Sequence, residues 1–125
     1  MKVFPGDVSL MAIYRDMKKL YHLSTCSTCK KIIADTGIKE KGFMLQDIKT
    51  EKITPEQLDE MAKLAGSYEA LFSRRSQQFR PMGLHEQTLT EKDYRRLILQ
   101  EYTFLKRPVA IDGKKIYIGP EVKNL

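Results

Sequence analysis

The chain's only two cysteines stand three residues apart, in Thr25-Cys26-Ser27-Thr28-Cys29-Lys30, between a short apolar run and a run with helical character. That placement constrains the fold more than any other feature. Residues 18–23, KKLYHL, read as a buried strand. Ser24, Thr25, Ser27 and Thr28 supply candidate helix caps around the cysteines. Residues 27–36 read as a helix that stops at Gly37, a natural residue just past a helix end. Residues 43–48, FMLQDI, read as the next strand. Strand, cysteine loop, helix, strand is a βαβ unit, and a C-x-x-C beside such a unit reads as a redox motif.

The rest of the chain adds helices and a hairpin. Thr54-Pro55-Glu56-Gln57 predicts a helix start with Pro at the first position and a capping box. Leu58, Met61, Leu64 and Ala65 share its inner face, and Gly66 ends it. Ser67 is expected to open a second short helix, SYEALF, before a basic polar stretch over residues 73–81. Another helix begins between Thr88 and Glu91, with Tyr94, Leu97, Ile98 and Tyr102 facing inward. Asp112-Gly113, flanked by short apolar runs, signals a hairpin. The expected architecture is α/β, with a helical insertion between the second and third strands. Residues 1–16 fit none of this and read as an N-terminal extension, loosely attached or foreign to the native protein, before a domain over 17–125. An extra edge strand over residues 8–14 is the other reading.

With 125 residues, 42% hydrophobic and 30% charged, the chain can bury a core without disulfide or metal staples. No apolar run approaches the ~20 residues of a membrane helix, and no secretory signal precedes residue 17, so a cytoplasmic location is expected. The net charge of +6 is spread over both halves and does not make a nucleic-acid footprint.

At a helix N-terminus the unpaired N–H groups and the dipole favour an anion, and Lys30 and Lys31 add charge one turn away. Such surroundings lower a thiol pKa, and the thiolate is the nucleophile. Cys26 is therefore expected to be the reactive thiol. Structural zinc would need four ligands, and the chain offers two cysteines and two distant histidines, so no metal is expected. Inert core cysteines are the other alternative, and the polar neighbours of both cysteines oppose it.

Three segments together, YHLSTCSTCKK, LFSRRSQQFRPMGL and FLKRPVAIDGKKIYIGP, resemble the ArsC/Spx family of thioredoxin-fold proteins over residues 17–120. That family holds glutaredoxin-coupled arsenate reductases, the transcription regulator Spx and related reductase-like proteins. The resemblance implies a glutaredoxin-like mixed sheet. It implies Cys26 as nucleophile and Cys29 as the resolving cysteine, with no bound cofactor and with glutathione or a thioredoxin/glutaredoxin system as reductant. His22, four residues before Cys26, matches a histidine of the reductases that would support the thiolate, as would Lys30; a strand histidine satisfied by backbone groups is the other reading of His22. Arg107 matches the family's Arg-Pro motif, whose proline is cis, here Pro108. Arg75 matches the arginine of the helical insertion, with Arg74 as its substitute, and Arg75 and Arg107 would bind an oxyanion or a carboxylate. The third arginine position holds Gly119 instead, a departure shared with the Spx-like branch, which puts efficient arsenate reduction in doubt. Implied partners are a small oxyanion or thiol substrate and a redox protein. RNA polymerase belongs to the alternative, a redox-sensing Spx-like regulator, which the end at Leu125 argues against without excluding, since Spx continues into a C-terminal helical segment. His85 is expected in a surface loop.

Overall fold

Alternation along two central strands decides how the layers stack. The computed structural model of the chain describes residues 18–125. The expected extension over 1–16, Met17 and the alternative strand over 8–14 lie outside the described residues. Strand β1, Lys18–His22, runs parallel to β2, Met44–Asp47, and antiparallel to β3, Val109–Asp112, which pairs with β4, Lys115–Ile118. The sheet order is β2-β1-β3-β4. Successive side chains of a strand point to opposite faces. Leu20 and Ala110 accordingly enter one apolar cluster with Ile32, Ile38, Phe43 and Val122. Tyr21, Val109 and Ile111 enter the other, with Leu58, Met61, Phe72, Leu97 and Phe104. Both faces of the sheet are thus covered.

Helix α1, Ser27–Thr36, crosses from β1 to β2 and ends at Gly37 with φ 60. Its buried residues are Cys29 and Ile32. Cys29 is fully buried in the core, against the expectation from its polar sequence neighbours, which on a helix point to other sides. Helix α2, Pro55–Ala65, opens with the expected capping box: Thr54 Oγ1 accepts from the Gln57 N–H at 3.1 Å and Gln57 Oε1 accepts from the Thr54 N–H at 3.1 Å. The Gln57 amide also exchanges hydrogen bonds with the buried Gln46 of β2, tying helix to sheet. Helix α3, Glu91–Gln100, is capped by Thr90 and Asp93 in the same way.

Three expectations shift. The helix expected at SYEALF is a single 3-10 turn, Glu69–Leu71. Its N-terminal N–H groups, those of Tyr68 and Glu69, are taken by the Glu91 carboxylate at 2.7 and 3.1 Å, a partner over twenty residues away. Tyr102 is not on α3. Glu101 turns extended at φ −138, and its carboxylate accepts from the Thr103 N–H and hydroxyl of a new turn, Tyr102–Phe104. In the hairpin, Asp112 pairs with Lys115, so the loop is Gly113-Lys114 rather than Asp112-Gly113. Gly113 takes φ 63 at the first loop position, as a type II′ turn demands.

Candidate active site

The residues leading into α1 place both sulfurs. Leu23 accepts the Cys26 N–H at 2.9 Å, which closes a turn over 23–26. Cys26 then stands at the N-cap with φ −90 and ψ 116. No hydroxyl or carboxylate caps this helix. The Cys26 sulfur lies half-buried at that end, where the N–H groups of Cys29 and Thr28 favour its thiolate. Burial raises its pKa, but the Cys29 N–H, the Cys29 thiol, the Arg107 charge and the Thr28 N–H outweigh burial, and the net shift is down. Cys29, fully buried one turn further on, goes the other way. Desolvation pushes its thiol up to about 12, against the Leu23 N–H and with help from the nearby Cys26 sulfur. Both cysteines are free thiols. One cysteine is shifted toward its thiolate and its neighbour is held as thiol.

A groove of about 1030 Å³ opens over Cys26. One wall is cationic: Arg74, Arg75, Lys106 and Arg107. Leu64, Ala65, Ile116 and Ile118 make an apolar side. The cations meet because the insertion closes on itself. Phe72 and Leu105 form an antiparallel bridge, the Ser73 N–H donates to Phe104 O at 2.7 Å, and the Lys106 N–H donates to Leu71 O at 2.8 Å. Arg74-Arg75 leaves that bridge on one strand and Lys106-Arg107 leaves it on the other.

The arginines differ in freedom. Arg74 donates to Glu69 Oε2 at 3.1 Å and to the Tyr94 hydroxyl at 2.8 Å, and its guanidinium lies over the Phe72 and Tyr94 rings. Arg75 is exposed and has no ion-pair or hydrogen-bond partner among the described residues. Arg107 is pinned: one terminal nitrogen donates to Thr103 O at 3.2 Å and to Leu105 O at 3.1 Å. Its Nε–H is buried and bonds to nothing among the described residues. The Arg107–Pro108 peptide is cis, and Pro108 O accepts the Gly119 N–H at 2.7 Å. That bond brings Gly119 to the groove at φ 61, with open space where a Cβ would point. An arginine there would need a left-handed backbone that L side chains rarely adopt.

His22 and Lys30 do not line the groove. His22 pairs with Asp47 across β1 and β2. Burial lowers its pKa, with Asp47 opposing and Lys39 adding to the shift. Lys30 is exposed on the first turn of α1. His85 sits exposed beside Glu86, 3.4 Å away. Sequence reasoning did not single out Thr28, Lys106, Ile116, Ile118 or Glu121 as groove residues. Lys106 carried a signal in its adjacency to Arg107. Thr28 reaches it from the first turn of α1, and Ile116, Ile118 and Glu121 only through the β4 hairpin and the turn after it. Among the described residues, no cluster of three or more His, Cys, Asp or Glu could hold a metal, and no helix is long and apolar enough to cross a membrane.

The sequence model of the ArsC family matches residues 21–124. Global transcriptional regulator Spx 2 of Bacillus anthracis is 26% identical over 105 residues, covering 82% of this chain and 79% of that protein. Among solved structures, an arsenate reductase (ArsC) related protein from Brucella melitensis is 26% identical with a TM-score of 0.63, covering 82% of this chain and 86% of the other. An arsenate reductase from Vibrio cholerae, 17% identical, superposes with a TM-score of 0.68 over 84% of this chain and 92% of its own; at that identity the likeness shows the fold, which is ArsC-like and thioredoxin-like.

Proposed function

From the premise that this chain belongs to the ArsC family, we propose that it is a thiol-dependent oxidoreductase with Cys26 as nucleophile and Cys29 as resolving cysteine. The observation that carries the reading is the split between the two thiols beside a cationic wall: Cys26 lowered, Cys29 pushed up to about 12. The Cys26 thiolate attacks one sulfur of a disulfide or thiol adduct. A Cys26 mixed disulfide forms, and the other sulfur leaves as a thiolate that takes a proton from solvent. Cys29 then loses its proton and attacks the Cys26 sulfur. The second substrate thiol leaves, and the protein holds a Cys26–Cys29 disulfide. Two electrons have passed to the substrate, and an external thiol, glutathione or a thioredoxin/glutaredoxin protein, returns them. Arsenate is the alternative acceptor, held by Arg75 and Arg107. The vacant third arginine position, Gly119, weakens that option, because one fewer fork faces a tetrahedral anion. This chemistry suits a reducing cytoplasm.

A second reading is supported by the relatives named as regulators: the same thiol pair would act as a redox switch on a protein that binds RNA polymerase. One paired experiment separates them. NADPH oxidation is followed with glutathione, glutaredoxin and glutathione reductase, using arsenate and a small mixed disulfide as substrates, beside a pull-down of RNA polymerase. Turnover that disappears in Cys26→Ser supports the enzyme. Polymerase capture without turnover overturns it in favour of the regulator.

A further inference from the structure

Asp47 ends β2, away from the groove, yet it reaches the cysteine loop. Its Oδ1 accepts the Ser24 N–H at 3.2 Å and the Lys49 N–H at 3.1 Å. The Ser24 hydroxyl beside it, the N–H groups of Lys49 and Ser24 and the His22 charge together hold the acid below its usual range. The neighbouring Leu23 gives its carbonyl to the Cys26 N–H at 2.9 Å, and its own N–H favours the Cys29 thiolate. The cysteine loop is thus tied to the end of β2 by a carboxylate that touches neither sulfur.

We propose that Asp47 is a positioning residue: by fixing Ser24 it holds Leu23 and the 23–26 turn in the geometry that presents the Cys26 sulfur to the Thr28 and Cys29 N–H groups. The inference rests on Cys26 being the nucleophile and adds the residue that aims it. Its signature has a sign. Asp47 carries negative charge, so through space alone its removal would favour the Cys26 thiolate and lower the midpoint. Loss of positioning misaligns the N–H groups that favour the thiolate and raises it. The two effects oppose, and positioning predicts the upward direction.

The test is the pH profile of Cys26 alkylation by iodoacetamide, read by peptide mass spectrometry, in the full chain and in Asp47→Ala and Ser24→Ala, with thermal melts beside it. Ser24→Ala removes the hydroxyl contact and alters no charge, so it keeps the test open if Asp47→Ala folds poorly. The expected result is a thiolate population near neutral pH reduced about three- to tenfold in Asp47→Ala, the factor one hydrogen bond is worth. Ser24→Ala should show a smaller change of the same sign. Midpoints that stay put or fall in folded variants, while the unaltered chain keeps a low Cys26 midpoint, overturn the positioning role alone. A Cys26 midpoint in the unaltered chain no lower than that of Cys29 overturns the nucleophile assignment, and the positioning role with it.

Discussion

Replacing Arg107 with alanine should make the alkylation profile of Cys26 cross that of the unaltered chain. Arg107 is the one charge among the groups that lower the Cys26 pKa, and its two carbonyl anchors hold it in place. Removing a nearby opposite charge shrinks a thiolate population by about one to three powers of ten, and Cys26 is partly exposed, so the low end, about tenfold, is expected. Below both midpoints the thiolate fraction of Arg107→Ala falls about tenfold. The thiolate that does form is more basic, and with a Brønsted slope near ~0.45 it reacts about threefold faster. The net rate falls about three- to fourfold. Above both midpoints Cys26 is fully ionised in each protein, and the variant is about threefold faster. Cys29, at about 12, stays protonated over the usable range and does not blur the curve. Iodoacetamide rates on the Cys26 peptide from pH 5 to 10 give the measurement. Arg107→Lys should recover part of the midpoint, since the charge survives while the fork that meets both carbonyls does not. Curves that share one midpoint in a folded Arg107→Ala protein would refute the reasoning.

Three further outcomes are expected. Mild peroxide should remove two hydrogens from the monomer by joining Cys26 to Cys29; a disulfide-linked dimer as the main product would oppose the resolving role. Thr54→Ala removes one half of the α2 capping box, costs about 1 kcal/mol and should lower the melting temperature by about 3–6 °C; an unchanged melt would mean the helix end is held by Gln46 and Gln57 instead. The Asp59 carboxyl is held below its usual range first by the Arg95 guanidinium and then by the Tyr68 hydroxyl. A depressed folded pKa stabilises above the unfolded value of about 3.9 and is lost as pH falls through the folded value, so the gap in urea midpoint between the chain and Arg95→Ala should narrow between pH 6 and pH 2.5. A constant gap would show that the pair acts through packing alone.

The elements that local chemistry dictates were legible in the sequence. Gly37 and Gly66 end α1 and α2, and Thr54 with Gln57 starts α2, because each is a contact between near neighbours. What escaped depends on partners far along the chain. The turn at Glu69–Leu71 is held by Glu91. Arg74 and Arg75 look alike in sequence, and only the fold brings Glu69, Tyr94 and Phe72 around Arg74 and leaves Arg75 free of such contacts. Asp47 reads as the polar end of a strand. Its hold on Ser24 exists only because β1 and β2 are parallel neighbours, so that both strands end beside the same loop.

The Phe72–Leu105 bridge divides labour within the insertion. The two basic pairs leave its two ends, and residues 76–105 add nothing to the groove's lining. Trimming the turns over residues 76–90 changes the protein's outline, but α3 has to stay, since its Tyr94 and Glu91 hold Arg74 and the turn before it. Sliding the bridge by one residue would turn every one of the basic side chains over. The length of the insertion's outer turns and the geometry around the thiol are therefore set by different parts of the chain, joined only at the bridge and α3.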